Sequence, residues 1–126
     1  MIPDIHRVAD VIREVAEREL VPHFVTLSAD DIDEKAPGDF VTAVDLAMER
    51  ELANALVPLL PGSLVVGEEA VHDDRGILSL LEGEAPVWVL DPLDGTGNYA
   101  QGLPIVAVIV ALVVKGETVA GWIYDP

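Results

Sequence analysis

The sequence predicts an α+β fold in which two helices pack on a largely antiparallel sheet. Three observations predict it. Apolar residues recur at helical spacing over the first third of the chain, short β-rich runs bounded by turn formers fill the rest, and the order is helix, helix, then strands. With 126 residues the chain is the length of one domain, 1–126, able to bury roughly two-thirds of its unfolded surface.

Ile5, Val8, Ala9, Ile12, Val15, Ala16 and Leu20 mark one apolar face of a first helix, with Pro3 in its first turn and Pro22 just past its end. "LSADDIDEKAPGD" is too polar and too rich in turn formers for a core element, so it reads as a surface loop ending near Asp39. A second helix starts near "TAVD", where Thr42 and Asp45 resemble a capping pair. Leu46, Met48, Leu52, Ala55, Leu56 and Leu59 supply its apolar side, and Pro58, Pro61 and Gly62 close it.

"SLVVGEE" reads as a short strand with Glu68 and Glu69 at its exit. A loop with one short helix around Ile77 to Leu81 leads to "VWVL", a second strand delivering Asp91. The apolar run from Ile105 to Val114 lacks polar alternation, which predicts a strand covered on both faces. Lys115, Gly116 and Glu117 turn it into "TVAGWIYD" as an antiparallel hairpin. The sequence stops at Pro126, directly after a strand, so the sheet is expected to lack part of its cover.

Seven Lys and Arg against 23 Asp and Glu give a formal charge of −16, which disfavours nucleic acid and anionic membranes as partners. The absence of cysteine excludes disulfides, thiolate metal sites and a thiol nucleophile. The start, "MIPDIHRVADVIREV", lacks the unbroken apolar core of a secretory signal. "LPIVAVIVALVV" falls short of the ~20 residues a membrane helix needs. The expectation is a soluble, cytoplasmic protein.

"VWVLDPLDGTGNY" places Asp91 and Asp94 at the end of an apolar strand, followed by a glycine-rich turn. If the strand that Glu68 leaves is a neighbour in the same sheet, three carboxylates converge. At ~4 Å and an effective dielectric of ~20, each like-charged pair costs on the order of 4 kcal/mol. A cation or protons must relieve that. The donors are all oxygen, which points to Mg²⁺, with Mn²⁺ or Ca²⁺ as fallbacks. Main-chain N–H groups after Asp94 suit a phosphate beside the metal. His72 is a loop residue, and His6 and His23 are given no role.

"GDFVTAVD" (38–45), "GEE" (67–69), "WVLDPLDGTGNY" (88–99) and "GWIYDP" (121–126) resemble, in order and spacing, four consecutive blocks of the inositol monophosphatase family. These are magnesium-dependent, lithium-sensitive sugar-phosphatases that usually dimerise. The resemblance implies the N-terminal half of a layered α-β-α-β-α fold, the C-terminal half being absent. It implies that Glu68, Asp91, Asp94 and the Leu93 carbonyl hold Mg²⁺ (Mn²⁺ in its place), and that Asp94, Gly95 and Thr96 contact the substrate, with Leu93 and Glu68 beside it. Thr96, paired with Asp45, helps activate the attacking water beside Glu68. Lys35 is similar to a family lysine near a further metal, and Glu69 has a supporting role.

The implied reaction is hydrolysis of inositol-1-phosphate or a related sugar or polyol phosphate. Histidinol phosphate, fructose bisphosphate and nucleotide bisphosphates are the alternatives. Gly97 stands where many relatives carry threonine, and where the nucleotide-bisphosphate branch usually has lysine. A phosphoaspartate mechanism normally uses D-x-D, which the three-residue spacing here disfavours. A non-enzymatic alternative is a truncated metal-binding or assembly module.

Overall fold

A computed structural model describes residues 2–23, 32–36, 39–101, 103 and 106–126. Its order is α1 (Ile5–Glu19), a 3₁₀ turn (Val21–His23), β1 (Ile32–Ala36), β2 (Asp39–Thr42), α2 (Ala43–Leu56), a 3₁₀ turn (Val57–Leu59), β3 (Leu64–Gly67) and α3 (Glu68–Asp73). A 3₁₀ segment (Arg75–Glu82), β4 (Val87–Asp94), α4 (Thr96–Ala100), β5 (Ala107–Val114) and β6 (Glu117–Tyr124) complete it. β3 to β6 form one sheet in sequence order. β3 and β4 are parallel; β4–β5 and β5–β6 are antiparallel.

α1 begins two residues later than Pro3 suggests. Asp4 caps it, its Oδ1 accepting from the N–H groups of His6 and Arg7 at 2.9 and 3.4 Å, which satisfies donors that have no partner within the helix. Val8, Ile12, Val15 and Ala16 pack with Val44, Met48, Leu52 and Leu56 of α2 over Trp88, Leu90, Val108, Val110 and Leu112 of the sheet. Trp122 Nε1 donates to the Ile5 carbonyl at 3.0 Å, tying the start of α1 to β6. Among the described residues no helix is long and apolar enough to cross a membrane.

Two expectations are corrected. The polar stretch read as a surface loop ending near Asp39 contains β1, paired antiparallel with β2 as a separate two-stranded ribbon with a register shift between Glu34 and Ala36. Asp, Glu and Lys are depleted in strands, but a paired neighbour satisfies the backbone whatever the side chains. The capping reading of Thr42 and the proposed role of Lys35 concern side chains outside the described residues.

The second correction concerns β5. Val108, Val110 and Leu112 are buried beneath the helices, whereas Ile109 and Ala111 on the reverse face are only half-buried. Nearby on β6, Ile123 is 76% exposed. Both long helices lie on one side, and α3 with the 3₁₀ segment shelters part of the reverse face. A cleft of about 390 Å³ runs there between Val71, Leu78 and Leu81 and the strand residues Val89, Ile109 and Ala111. The hairpin closes as expected: Lys115 and Gly116 have φ of 51° and 80°, and Val114 pairs with Glu117, a two-residue turn whose left-handed conformations match strand twist.

Candidate active site

β4 does not end at Leu90. It continues through Pro92 to Asp94, with a register shift between Asp91 and Asp94. In a regular strand, residues three apart point to opposite faces. Here Trp88, Leu90 and then Leu93 lie in the helix-side core, so one extra residue has been inserted and the alternation is reset. A bulge of this kind re-aims side chains and turns Asp94 toward the side of the sheet occupied by Asp91. Pro92, which has no N–H, sits where the ladder is already interrupted.

Glu68 follows Gly67 at the first position of α3. Because β3 and β4 run parallel, with Gly67 opposite Leu90, Glu68 emerges beside Asp91 and within hydrogen-bond reach of it. Burial, above all, and then Glu68 push the Asp91 carboxyl up to about 7, with smaller contributions from the charges of Asp94 and Asp45. Asp91 Oδ1 is buried and has no hydrogen-bond partner among the described residues. Two ionised carboxylates have no proton to donate to each other, so the approach of Glu68 is no compensation. A shared proton or a cation must supply it.

The donor set fits a hard divalent cation. It comprises two carboxylates in contact, one with an orphaned buried oxygen, and a third carboxylate within electrostatic range. It is an open set: among the described residues no three acidic or histidine side chains gather at metal-ligand spacing. Asp94 is exposed and His72, one turn beyond Glu68 on α3, is exposed as well.

Gly95 has φ of +90°, a conformation that favours glycine, and it turns β4 into α4. Thr96 Oγ1 lies 2.8 Å from Asp45 Oδ1 and 2.9 Å from the Leu93 carbonyl. One hydroxyl proton faces two acceptors, and the charged one binds it more strongly. The proton therefore goes to Asp45, and the Leu93 oxygen keeps acceptor capacity. Asp45 is 1% exposed. Thus the structure brings Glu68 to Asp91, and Thr96 to both Asp45 and the Leu93 carbonyl, while Asp94 joins no group of three among the described residues. Glu69 is buried and its N–H is held by Glu49.

Glu49 was missed by sequence reading, as was Tyr99. Tyr99 is fully buried on α4 and donates to the Leu20 carbonyl at 2.6 Å, fastening the turn after Asp94 to the end of α1. Burial, then the Asp45 charge, pushes its phenol up to about 12. Folding thus favours the neutral phenol. That contribution is complete below the ordinary tyrosine value near ~10 and is lost as pH rises through about 12. Tyr99→Phe should cost about 1–2 kcal/mol at neutral pH by leaving a buried carbonyl unpaired. It should also flatten the alkaline fall in stability, as measured by urea unfolding at pH 7 to 11.

Helices laid on one face of a mixed sheet give this chain the fold of solved IMPase structures. An IMPase of Thermotoga maritima superimposes with a TM-score of 0.74 at 26% identity, covering 97% of this chain and 45% of that one. The chain belongs to the inositol monophosphatase family, whose model matches residues 5–126. The inositol-1-monophosphatase ImpA of Mycolicibacterium smegmatis is 42% identical over 113 residues, 90% of this chain and 38% of that protein. A fructose-1,6-bisphosphatase/inositol-1-monophosphatase of Aquifex aeolicus is 34% identical over 119 residues, 94% of this chain and 42% of that protein. The chain thus spans less than half the length of these relatives.

Proposed function

We propose that residues 1–126 are the N-terminal half of a magnesium-dependent phosphomonoester hydrolase acting on inositol-1-phosphate or a related sugar or polyol phosphate. The observation that carries this reading is the Asp91 carboxyl beside Glu68, with a buried Oδ1 that has no hydrogen-bond partner among the described residues, in a chain of the inositol monophosphatase family. Glu68, Asp91, Asp94 and the Leu93 carbonyl would hold Mg²⁺, or Mn²⁺ in its place. When bound, the cation supplies positive charge against a phosphoryl group and makes water a competent nucleophile at neutral pH.

The protein's own residues then do three things. Thr96, by donating to Asp45, leaves its oxygen lone pairs to accept a hydrogen bond from an incoming water and orient it. Glu68 accepts on the water's other side. The N–H groups of Gly95 and Thr96 receive phosphoryl oxygens as negative charge develops on them. No covalent phosphoenzyme is required. The homodimeric state and lithium sensitivity belong to this same family-based reading, and the cytoplasmic location to the reading of the sequence itself.

The bifunctional name of the Aquifex aeolicus relative supports fructose bisphosphate as the second substrate to test. The complete protein carrying this chain is assayed for phosphate release from inositol-1-phosphate, fructose bisphosphate, histidinol phosphate and a nucleotide bisphosphate, with Mg²⁺ and with chelator. Chelator-sensitive release, fastest from inositol-1-phosphate, is the expected result. Failure to hydrolyse any of the four refutes the activity. The same assay on residues 1–126 separates a self-sufficient site from a metal-binding module that needs the remaining chain.

A further inference from the structure

α2 carries a second carboxylate one turn beyond Asp45. Residues four apart on a helix lie one above the other on the same face, and both of these reach toward strand ends. Asp45 accepts from Thr96 after β4. Glu49 accepts from two consecutive main-chain donors after β3, the N–H of Glu69 on Oε1 at 2.8 Å and the N–H of Ala70 on Oε2 at 3.0 Å. These are amides of the first turn of α3, which have no partner within the helix. With both oxygens engaged by the backbone, Glu49 serves as a clamp on that turn.

Gly67 supplies an independent observation. Its φ of −101° is open to any residue, so backbone conformation does not call for glycine. Space does: a Cβ at position 67 would overlap the carboxyl group of Glu49. Glycine precedes Glu68 so that a side chain from another helix can reach past it to the amides beyond. Burial raises the pKa of Glu49, chiefly by desolvation, against the opposing effect of its two hydrogen bonds.

We propose that Glu49 is a positioning residue: it fixes the first turn of α3, and with it the Glu68 carboxylate opposite Asp91, through a passage that Gly67 keeps open. Asp45 and Glu49 then make α2 a common brace for the turns after both β3 and β4. The consequence for metal affinity rests on the reading given under Proposed function; the brace itself does not.

The test compares Mn²⁺ binding by residues 1–126 with binding by Glu49→Gln, Glu49→Asp and, as a control for lost charge, Glu84→Gln, whose side chain is 91% exposed. Hydrogen exchange at the Glu69 and Ala70 amides is followed in the metal-free proteins. Both Glu49 variants should exchange faster at these two amides and bind Mn²⁺ about tenfold more weakly, while Glu84→Gln matches wild type. Glu49→Asp keeps the charge and shortens the reach, so its loss reports position, and it stands in should Glu49→Gln fail to fold. Wild-type affinity in both Glu49 variants overturns the proposal, even with a lowered melting temperature, because that would be a structural role alone. Loss in Glu49→Gln with none in Glu49→Asp overturns it too, since charge would then be the cause. A wild type that binds no Mn²⁺ refutes the metal reading instead. Exchange then decides the brace by itself, with faster exchange in both variants upholding it and unchanged protection overturning it.

Discussion

Asp91→Asn should abolish the stabilisation that Mg²⁺ or Mn²⁺ gives this chain, while leaving the metal-free chain at least as stable as wild type at neutral pH. The first half follows from Asp91 being the carboxylate with a buried oxygen that finds no hydrogen-bond partner among the described residues. A cation held at a hundred times its dissociation constant stabilises the folded state by about 2.7 kcal/mol, which for a domain of this size is a rise of roughly 10 °C in melting temperature. The second half follows from the surroundings. Burial and Glu68 raise Asp91 to about 7, above the ~3.9 of an unfolded chain. Folding without metal therefore favours the protonated acid, and that contribution is fully present below about pH 4. It is lost as pH rises through about 7. An asparagine stays neutral throughout, so the variant's metal-free stability should be flatter over this window. Thermal unfolding in chelator and in 10-mM-scale metal, at pH 5 and pH 8, measures both halves. A variant stabilised by metal as strongly as wild type would remove Asp91 from the ligand set.

Much of the fold was legible because its elements obey single-period rules. α1 has one apolar stripe, β3 is a short run ended by glycine, and the Lys115–Gly116 turn carries its own chemistry. What was not legible depends on partners distant in sequence. β1 forms because β2 pairs with it, although Asp33, Glu34 and Lys35 argue locally for a loop. β5 reads as doubly buried because Ile109 and Ala111 are as apolar as Val108 and Val110; which face the helices cover is decided by tertiary packing. In the site, Asp91, Asp94 and Glu68 were visible as acids at strand ends, but the bulge that brings Asp91 and Asp94 to one side of the sheet was not, since Pro92 marks only a break in the ladder. Glu49 had a signal that could have been read. It lies one helical turn from Asp45 on an already suspected helix, but acids on helices are usually solvated and nothing local says that Gly67 admits it.

Trp88→Ala should be the most destabilising single change in the sheet, about 3–5 kcal/mol. Trp88 is fully buried near the start of β4, facing α1 and α2 in the helix-side core, with the Trp122 ring 5.9 Å away. Its removal leaves a cavity that neighbours on two rigid layers fill only in part. It also takes away the Nε1 hydrogen bond to Ser63 Oγ at 3.0 Å, and Ser63 is itself buried just before β3. That bond spans the two parallel strands whose register sets Glu68 beside Asp91: Val65 lies opposite Trp88, and Gly67 opposite Leu90. Against a total stability of about 5–15 kcal/mol for a domain, the loss brings the chain near its unfolding threshold. Trp88→Phe separates the two contributions. It keeps most of the volume and loses the donor, so it should cost about 1–3 kcal/mol. Urea unfolding of the three proteins at equal slope gives the differences directly. If Trp88→Ala cost less than about 1 kcal/mol, far below the range for such truncations, then the pairing that carries the two carboxylates together would be held by something other than this core. The route from strand register to site geometry would then have to start from the helix side, at Asp45 and Glu49.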